Sequence, residues 1–488
     1  MNSLFSLIHS LTPTEKRYFK LFAQRQVQHK NTNYAKIFDA INEQIEYNEE
    51  SLLKKFKREN FINQFGVTKN YLFNIILSCM QQYNEENFIE WKIRNMFLQC
   101  KILASKGLDE DAEKMIRKTK ELAWQYELYY VIGDLIILEK YLFGNFRIGE
   151  PTIESYMSIE KEEQQAFEIS NTHQQIGNVW HYLTLLELEI GILPQSDIKQ
   201  RADIYTNAIY MTQEPLVSYN AKYRYYATWS LYYNLVNDQE RNYECCKKGV
   251  LIREEQIQQQ PLLNLDPLAP YYNFLISCEK ANLWDEFEFY LNKIYNYEAP
   301  TIEINIRRMH NYCWCGLMFF LHQKEYEKAY EILQKYKAFF IEKKINFRKD
   351  FKIYIEACCA IVCIFLKKNN EAIKWLNNIL NNPIPQVELR SQASARLYSI
   401  MLHFDEQNFE TIEYVSKQAK KYLEQISLYH EPEKLFLKHI NEAVNEPDKK
   451  KQNQILHSLF NQLNKCTLSI SGNAVNKFIL NWLANKLN

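Results

Sequence analysis

A short acidic and aromatic motif returns along the second half of the chain at a nearly constant interval, and nothing else in the sequence narrows the choice of fold as much. Glu325-Tyr326-Glu327-Lys328-Ala329-Tyr330-Glu331-Ile332-Leu333 is echoed by Asn370-Glu371-Ala372-Ile373-Lys374-Trp375-Leu376 and by Phe409-Glu410-Thr411-Ile412-Glu413-Tyr414-Val415. It is preceded by Trp284-Asp285-Glu286-Phe287-Glu288-Phe289-Tyr290-Leu291. Aligned on Phe287, Ala329, Ala372 and Thr411, the copies lie 42, 43 and 39 residues apart. A spacing of about 40 residues is the mark of stacked helix hairpins, each too small to bury its apolar face alone.

Each copy opens a helix. Ala329, Ile332, Leu333, Tyr336 and Phe340 fall at i, i+3, i+4, i+7 and i+11, one stripe of an α-helix. A partner helix lies just upstream, over 312–321 for this copy and 354–366 for the next. The connections, His322-Gln323-Lys324 and Lys367-Lys368-Asn369-Asn370, are short and polar, which sets the two helices antiparallel. Composition agrees. With 10 Gly and 12 Pro among 488 residues the chain lacks the turn residues a sheet protein needs, while 47% apolar residues exclude disorder.

These residues resemble the tetratricopeptide repeat family, whose second helix starts after a small turn with an aromatic, an acidic residue and an alanine. Tyr326-Glu327-Lys328-Ala329 fits that pattern, Asn370-Glu371-Ala372 fits it with Pro383 closing the unit, and Gly316 sits near the small position of the first helix. The family unit is 34 residues, so the units here are longer. The resemblance implies a right-handed α-solenoid of elongated tetratricopeptide-like (TPR-like) helix pairs, all-α throughout.

Weaker copies extend upstream. Gly107-Leu108-Asp109-Glu110-Asp111-Ala112 follows a helix over 88–105, and Asn237-Asp238-Gln239-Glu240 separates a helix over 219–236 from one ending near Gln259. Segments 152–174, 172–190 and 197–212 also read as helices. The solenoid is expected over 85–488, closed by a helix over 475–487 whose Phe478, Ile479, Trp482 and Leu483 share one side, as a terminal cap requires.

Residues 1–84 have another character. Thr12-Pro13-Thr14-Glu15 is a helix start with a Thr N-cap, Pro at the first position and Glu completing a capping box, and helices are expected over 34–45, 49–57 and 68–82. This segment carries 11 Lys and Arg against 7 Asp and Glu, in a chain whose 59 basic and 59 acidic residues otherwise cancel. Phe61 through Ile75 resembles a helix-turn-helix pivoting on Gly66. In that reading Thr68, Lys69, Asn70 and Asn74 face a groove and Lys54, Lys55, Lys57 and Arg58 lie near phosphates. The competing reading is a plain two-helix corner with a solvated basic face.

Residues carrying chemistry are few. The chain has no Gly-rich phosphate loop, no HExxH, no Gly-x-Ser-x-Gly and no CxxC, so no enzyme and no cofactor are expected. The 11 cysteines lack the spacing of a disulfide framework, and the Cys358, Cys359, Cys363 and Cys313, Cys315 groups read as buried filler, with no metal site. His173 and His181 share a helix without a third ligand. The tyrosines 219, 223, 225, 226, 232 and 233 with Trp229 read as packing, or as a sticky anchor beside Lys222 and Arg224. The N-terminus lacks a basic leader and the longest apolar run, 357–366, falls well short of a bilayer, so a cytoplasmic protein without membrane contact is expected.

A non-enzymatic scaffold or adaptor that binds a protein or peptide along a concave face is the function this architecture suggests. The family resemblance places residues two, five, nine or twelve of each first helix on that face, here Tyr272, Glu279, His310, Tyr354, Arg396 and His403. The alternative is a regulator whose segment 1–84 contacts nucleic acid.

Overall fold

The computed structural model describes residues 3–25, 32–149, 152–187, 195–207, 211, 213–215, 217–263, 265–343, 345, 349–381, 389–466 and 477–487. Among them there is no strand, and the chain is an all-α solenoid of consecutive antiparallel helix pairs.

The first five helices, α1 (Ser3–Ser10), α2 (Pro13–Arg25), α3 (Thr32–Asn42), α4 (Glu49–Lys55) and α5 (Phe65–Asn87), enclose one core of Leu4, Ile8, Phe19, Ile37, Phe38, Ile41, Leu52, Leu72 and Ile76. Phe19 and Phe38 stack at its centre, 4.5 Å apart. The capping box at α2 is in place: Thr12 N donates to Glu15 Oε2 (2.7 Å) and Glu15 N to Thr12 Oγ1 (3.2 Å). A single extended residue, Phe88, separates α5 from α6 (Ile89–Ser105).

Hairpins then follow one another. α6 pairs with α7 (Asp109–Gln125) and α8 (Tyr129–Gly144) with α9 (Ile153–Glu187), against which α10 (Gln195–Thr206) packs. α11 (Tyr219–Leu235) pairs with α12 (Gln239–Gln259), α13 (Leu268–Ala281) with α14 (Trp284–Asn296), and α15 (Ile302–His322) with α16 (Tyr326–Tyr336). Next come α17 (Lys349–Phe365) with α18 (Asn369–Leu380), α19 (Leu389–Asp405) with α20 (Phe409–Gln425), and α21 (Glu431–Asn445) with α22 (Lys449–Lys465). The last helix is α23 (Lys477–Leu487). First helices touch first helices, α6 on α8 and α13, α15, α17 and α19 in a row, which makes them the inner layer of the stack.

One turn builds most of these hairpins. The residue two before each second helix takes a left-handed backbone (Gly107, Asn237, Asn282, Lys324, Lys367 and Gln407), and the next amide reaches back five residues. Leu108 N donates to Leu103 O (3.1 Å), Asp238 N to Tyr233 O (2.9 Å), Glu325 N to Phe320 O (2.9 Å) and Lys368 N to Cys363 O (2.8 Å). This Schellman closure normally takes glycine. Here only one of the six is glycine, which is how a chain so poor in glycine makes so many tight corners.

The fourth residue of each second helix is buried against its partner: Ala112, Asn242, Phe287, Ala329, Ala372 and Ile412. The copy at 409 therefore aligns one residue later than the sequence spacing places it, with Ile412 and not Thr411 in the core, because α20 starts at Phe409. Close approach of α15 to α16 is served by Gly316, where a Cβ would lie 3.3 Å from Ile332. On the outer layer a contact repeats: Tyr243 donates to Glu286 (2.7 Å) and Tyr330 to Glu371 (2.9 Å), each from one second helix to the next.

Other sequence expectations need correction. Segments 152–174 and 172–190 form one helix, α9, because no proline interrupts them, and α10 ends at Thr206; residues 188–190, 208–210 and 212, like Pro383, lie outside the described set. The supposed pivot Gly66 is inside the first turn of α5, preceded by a 3-10 turn over Asn60–Gln64, so the two-helix corner is not centred there. Among the described residues no helix is long and apolar enough to cross a membrane.

Two stability tests follow. Left-handed backbone costs a non-glycine residue about 1–2 kcal/mol and glycine regains part of that through its own flexibility, so Lys324→Gly and Lys367→Gly, both at exposed sites, should each stabilise by about 1 kcal/mol in urea unfolding, and Gly107→Ala should destabilise by a similar amount. The second concerns Glu356 on α17, enclosed with Lys352 Nζ 3.7 Å away; burial pushes its carboxyl up to about 7. The folded state holds this proton more tightly than the unfolded one, so the associated stability is present below pH 4.5 and is lost as pH rises through about 7. Glu356→Gln should flatten that slope and raise stability at pH 8 by at most about 3 kcal/mol, with little change at low pH.

Candidate binding surface on the inner helices

The inner layer has two unlike ends. From α13 to α19 it is nearly enclosed. His310 is buried, its Nδ1 3.1 Å from Asn311 Oδ1, while Tyr272, Glu279, Tyr354, Arg396 and His403 are at most partly exposed. Three of these six come together. Burial raises the phenol of Tyr272, on α13, well above the usual range, and Tyr354 and Glu279 are close enough to add to that shift. Tyr354 packs its ring 5.1 Å from Trp314, and Glu279 pairs with His322 Nε2 at 3.1 Å. Arg396 turns the other way, its guanidinium 3.6 Å from the Tyr422 ring of α20, where burial lowers its pKa. His403 lies apart near the end of α19, its imidazole pKa lowered by burial.

The helix α23 closes this end. Sequence reasoning gave it one neighbour, the final hairpin. In the structure it also returns to α15, across the C-terminal ends of inner helices. Phe478, Ile479, Trp482 and Leu483 are buried. Trp482 Nε1 donates to both oxygens of Asp405 (3.0 and 3.1 Å), and Lys486 Nζ pairs with the same carboxylate at 2.7 Å. At its other end Lys477 Nζ donates to His322 Nδ1 (3.0 Å), and the Phe478 ring lies 5.9 Å from that imidazole. Cations at carbonyl-rich helix ends are favourable.

The end formed by α6 and α8 is open. Trp91, Leu98 and Ile102 on α6 stand at i, i+7 and i+11, and Tyr130, Ile137 and Tyr141 on α8 stand at the same spacing, 39 residues further on. All six are between 43% and 63% exposed, although both helices are flanked by neighbours. Arg94 joins the two rows: its guanidinium donates to Glu90 (2.8 Å) and lies 4.7 Å from the Tyr130 ring, and Tyr130 donates to Glu90 (3.1 Å). Large apolar side chains left bare at equivalent places of adjacent repeats form a patch that mere scatter does not produce. Sequence reasoning missed it because apolar residues at helical spacing read as core; the shared 39-residue offset was the available signal.

In segment 1–84 the basic residues divide. Lys54, Lys57 and Arg58 are exposed, whereas Lys55 pairs with Glu43 (3.1 Å) and Lys69 is drawn under Tyr47 and Glu49 (2.8 Å to the carboxylate), its pKa raised by these partners against the opposing effect of burial. Thr68 Oγ1 donates to Gln64 O (3.0 Å). Asn70 and Asn74 are exposed on α5, but Val67, Tyr71 and Leu77 share its solvent side and make it more apolar than basic. In the aromatic group on α11, Tyr226 is buried, and it lines an open cleft of about 760 Å³ together with Tyr225, Trp229 and Tyr233; the cations at that cleft are Arg241 and Lys248, not Lys222 and Arg224. The cysteines are free and nearly all buried, and burial pushes the Cys358 and Cys363 thiols up to about 12.

Removing the carboxylate that holds α23 gives a direct test. A hydrogen bond or pair to a buried charge contributes about 1.5–3 kcal/mol, so Asp405→Asn should speed amide exchange within α23 about tenfold or more while leaving α22 unchanged, measured by hydrogen-exchange mass spectrometry. Compared with protein-family models, curated proteins and solved structures, the chain matches none.

Proposed function

We propose that the protein is a non-enzymatic scaffold that binds a protein or peptide partner along the inner face of its TPR-like solenoid, at α6 and α8. The observation carrying this reading is the pair of exposed rows Trp91, Leu98, Ile102 and Tyr130, Ile137, Tyr141, which repeat with the hairpins at one spacing and are linked through Glu90, Arg94 and Tyr130. Trp and Tyr on a rigid helix offer large contact area at little entropic cost and dominate binding energy at interfaces. Two parallel rows about one helix spacing apart suit an amphipathic helix or an extended peptide with apolar anchors. Glu90 and Arg94 between them supply a polar element that fixes register. The family resemblance, which assigns inner-face positions to ligand contact, points to the same layer.

The test is affinity purification of the tagged full chain from its native cell, with mass spectrometry and nucleic-acid detection on one eluate, in parallel with Trp91→Ala and Ile137→Ala. Exposed substitutions shift stability by within about 0.5 kcal/mol, so both variants should keep the wild-type circular dichroism and unfolding midpoint. A partner bound here should be lost from the variants, since hot-spot truncation costs about 2 kcal/mol or more, roughly thirtyfold in affinity. Identical partner profiles from all three proteins would remove α6 and α8 from the interface. The nucleic-acid alternative predicts salt-sensitive binding of duplex DNA that depends on Lys54, Lys57 and Arg58.

A further inference from the structure

A second feature lies between α6, α8, α9, α11 and α12, beside the exposed rows. There a half-enclosed cavity of about 330 Å³ is walled by Tyr129, Ser170, His173 and Tyr223, meets Glu90 and Tyr130 at its rim with Glu127, and carries two guanidinium groups, Arg224 and Arg253. Each lies over an aromatic ring: Arg253 at 4.3 Å from the centre of Tyr223, Arg224 at 5.0 Å from that of Trp180. A guanidinium seated over a ring keeps N–H donors available for two-pronged hydrogen bonding to an oxyanion.

The cations are poorly compensated by the protein. Arg94, Arg147, Arg241 and Arg307 are ion-paired, whereas among the described residues neither Arg224 nor Arg253 is within 4 Å of a carboxylate oxygen. Of its five donors Arg253 uses one on Gln256 Oε1 (2.8 Å). Arg253 feels two carboxylates, Glu127 in the cavity wall and Asp266, and a third, Glu90, lines the cavity; Glu90 is engaged by Arg94 and Tyr130, and the other two are engaged as well. Glu127 accepts from Ser218 Oγ (2.8 Å), Tyr219 N (2.6 Å) and Asn220 N (3.0 Å) at the N-terminus of α11, and Asp266 is paired with Arg307 at 3.0 Å. His173 faces the same space, and burial together with Arg224 lowers its pKa, so it adds a neutral hydrogen-bonding ring. A buried cation without a counter-charge is costly unless something supplies one.

We propose that this cavity is a binding site for a small molecule bearing an oxyanion, a phosphate monoester or a carboxylate, gripped by the edges of Arg224 and Arg253 with its body against Tyr129 and Tyr223. The cavity borders the partner surface at Glu90 and Tyr130 but does not include Trp91, Leu98, Ile102, Ile137 or Tyr141, so Trp91→Ala should leave it intact, and Arg253→Gln should leave the rest of the α6 and α8 rows intact.

The experiment titrates the full chain with inorganic phosphate, phenyl phosphate and benzoate at constant ionic strength, with chloride as the reference, by isothermal calorimetry and thermal unfolding. Saturable binding of phosphate or phenyl phosphate, or of benzoate, together with a raised unfolding midpoint, is the expected result, and the probe that binds tells which source of oxyanion the site takes. Arg253→Gln and Arg224→Gln should each weaken it by about tenfold or more, and Ser170→Phe, which adds a bulky ring at the cavity wall while keeping both arginines, should abolish it. The proposal is overturned if no probe exceeds chloride on the wild-type protein, a result that does not depend on whether any variant folds. It is equally overturned if binding survives Ser170→Phe, which would place the anion on the outer surface.

Discussion

The corner between two antiparallel helices is the constraint on which the molecule depends. A left-handed residue followed by an amide that reaches back five positions, Glu325 N to Phe320 O or Lys368 N to Cys363 O, turns the chain through a half circle in very few residues. The corner fixes how the second helix meets the first and so puts its fourth residue, such as Ala329 or Ala372, into the shared core. Because a lone hairpin leaves one face bare, each must stack on the next, and the inner and outer layers follow from that stacking.

Burial along the inner layer is uneven, and that unevenness divides the labour. From α13 to α19 the helices are enclosed by each other and by α23, so aromatic and sulfur-bearing side chains there serve cohesion. Among the described residues no helix covers α6 and α8 in that way, and the same kind of side chain is left exposed there. One architecture thus yields a welded end and an accessible end without any change in secondary structure.

How much of this could be read from the sequence depended on whether the signal was local. The capping box at Thr12 and Glu15, the corners after 107, 237, 324 and 367, and the stripe from Ala329 to Phe340 are short-range patterns, and they are where the sequence places them. Thr411 slipped by one because neither it nor Ile412 is decisive in isolation. Gly66 misled because a glycine marks a corner only when its backbone needs one, and here it continues a helix. Inner-face positions were assigned to the copies with the clearest motif, but clarity of motif marks good packing, so those positions lie where the stack is most closed. Whether Trp91 or Ile137 is core or surface is decided by which helices lie alongside, and no window of sequence contains that. The cavity holding Arg224 and Arg253 draws on several helices and was beyond reach for the same reason.

A linear stack of hairpins ordinarily loses order from its free end inward, one unit at a time, since the last unit has the fewest neighbours. Here the final helix lands on α15 and α19 and joins the tail to units well upstream, turning residues 302–487 from an open row into a closed circuit of contacts. Such a circuit gives way as a block. The two halves of the chain are therefore set up to differ in how they come apart, gradually toward α6 and all at once toward α23.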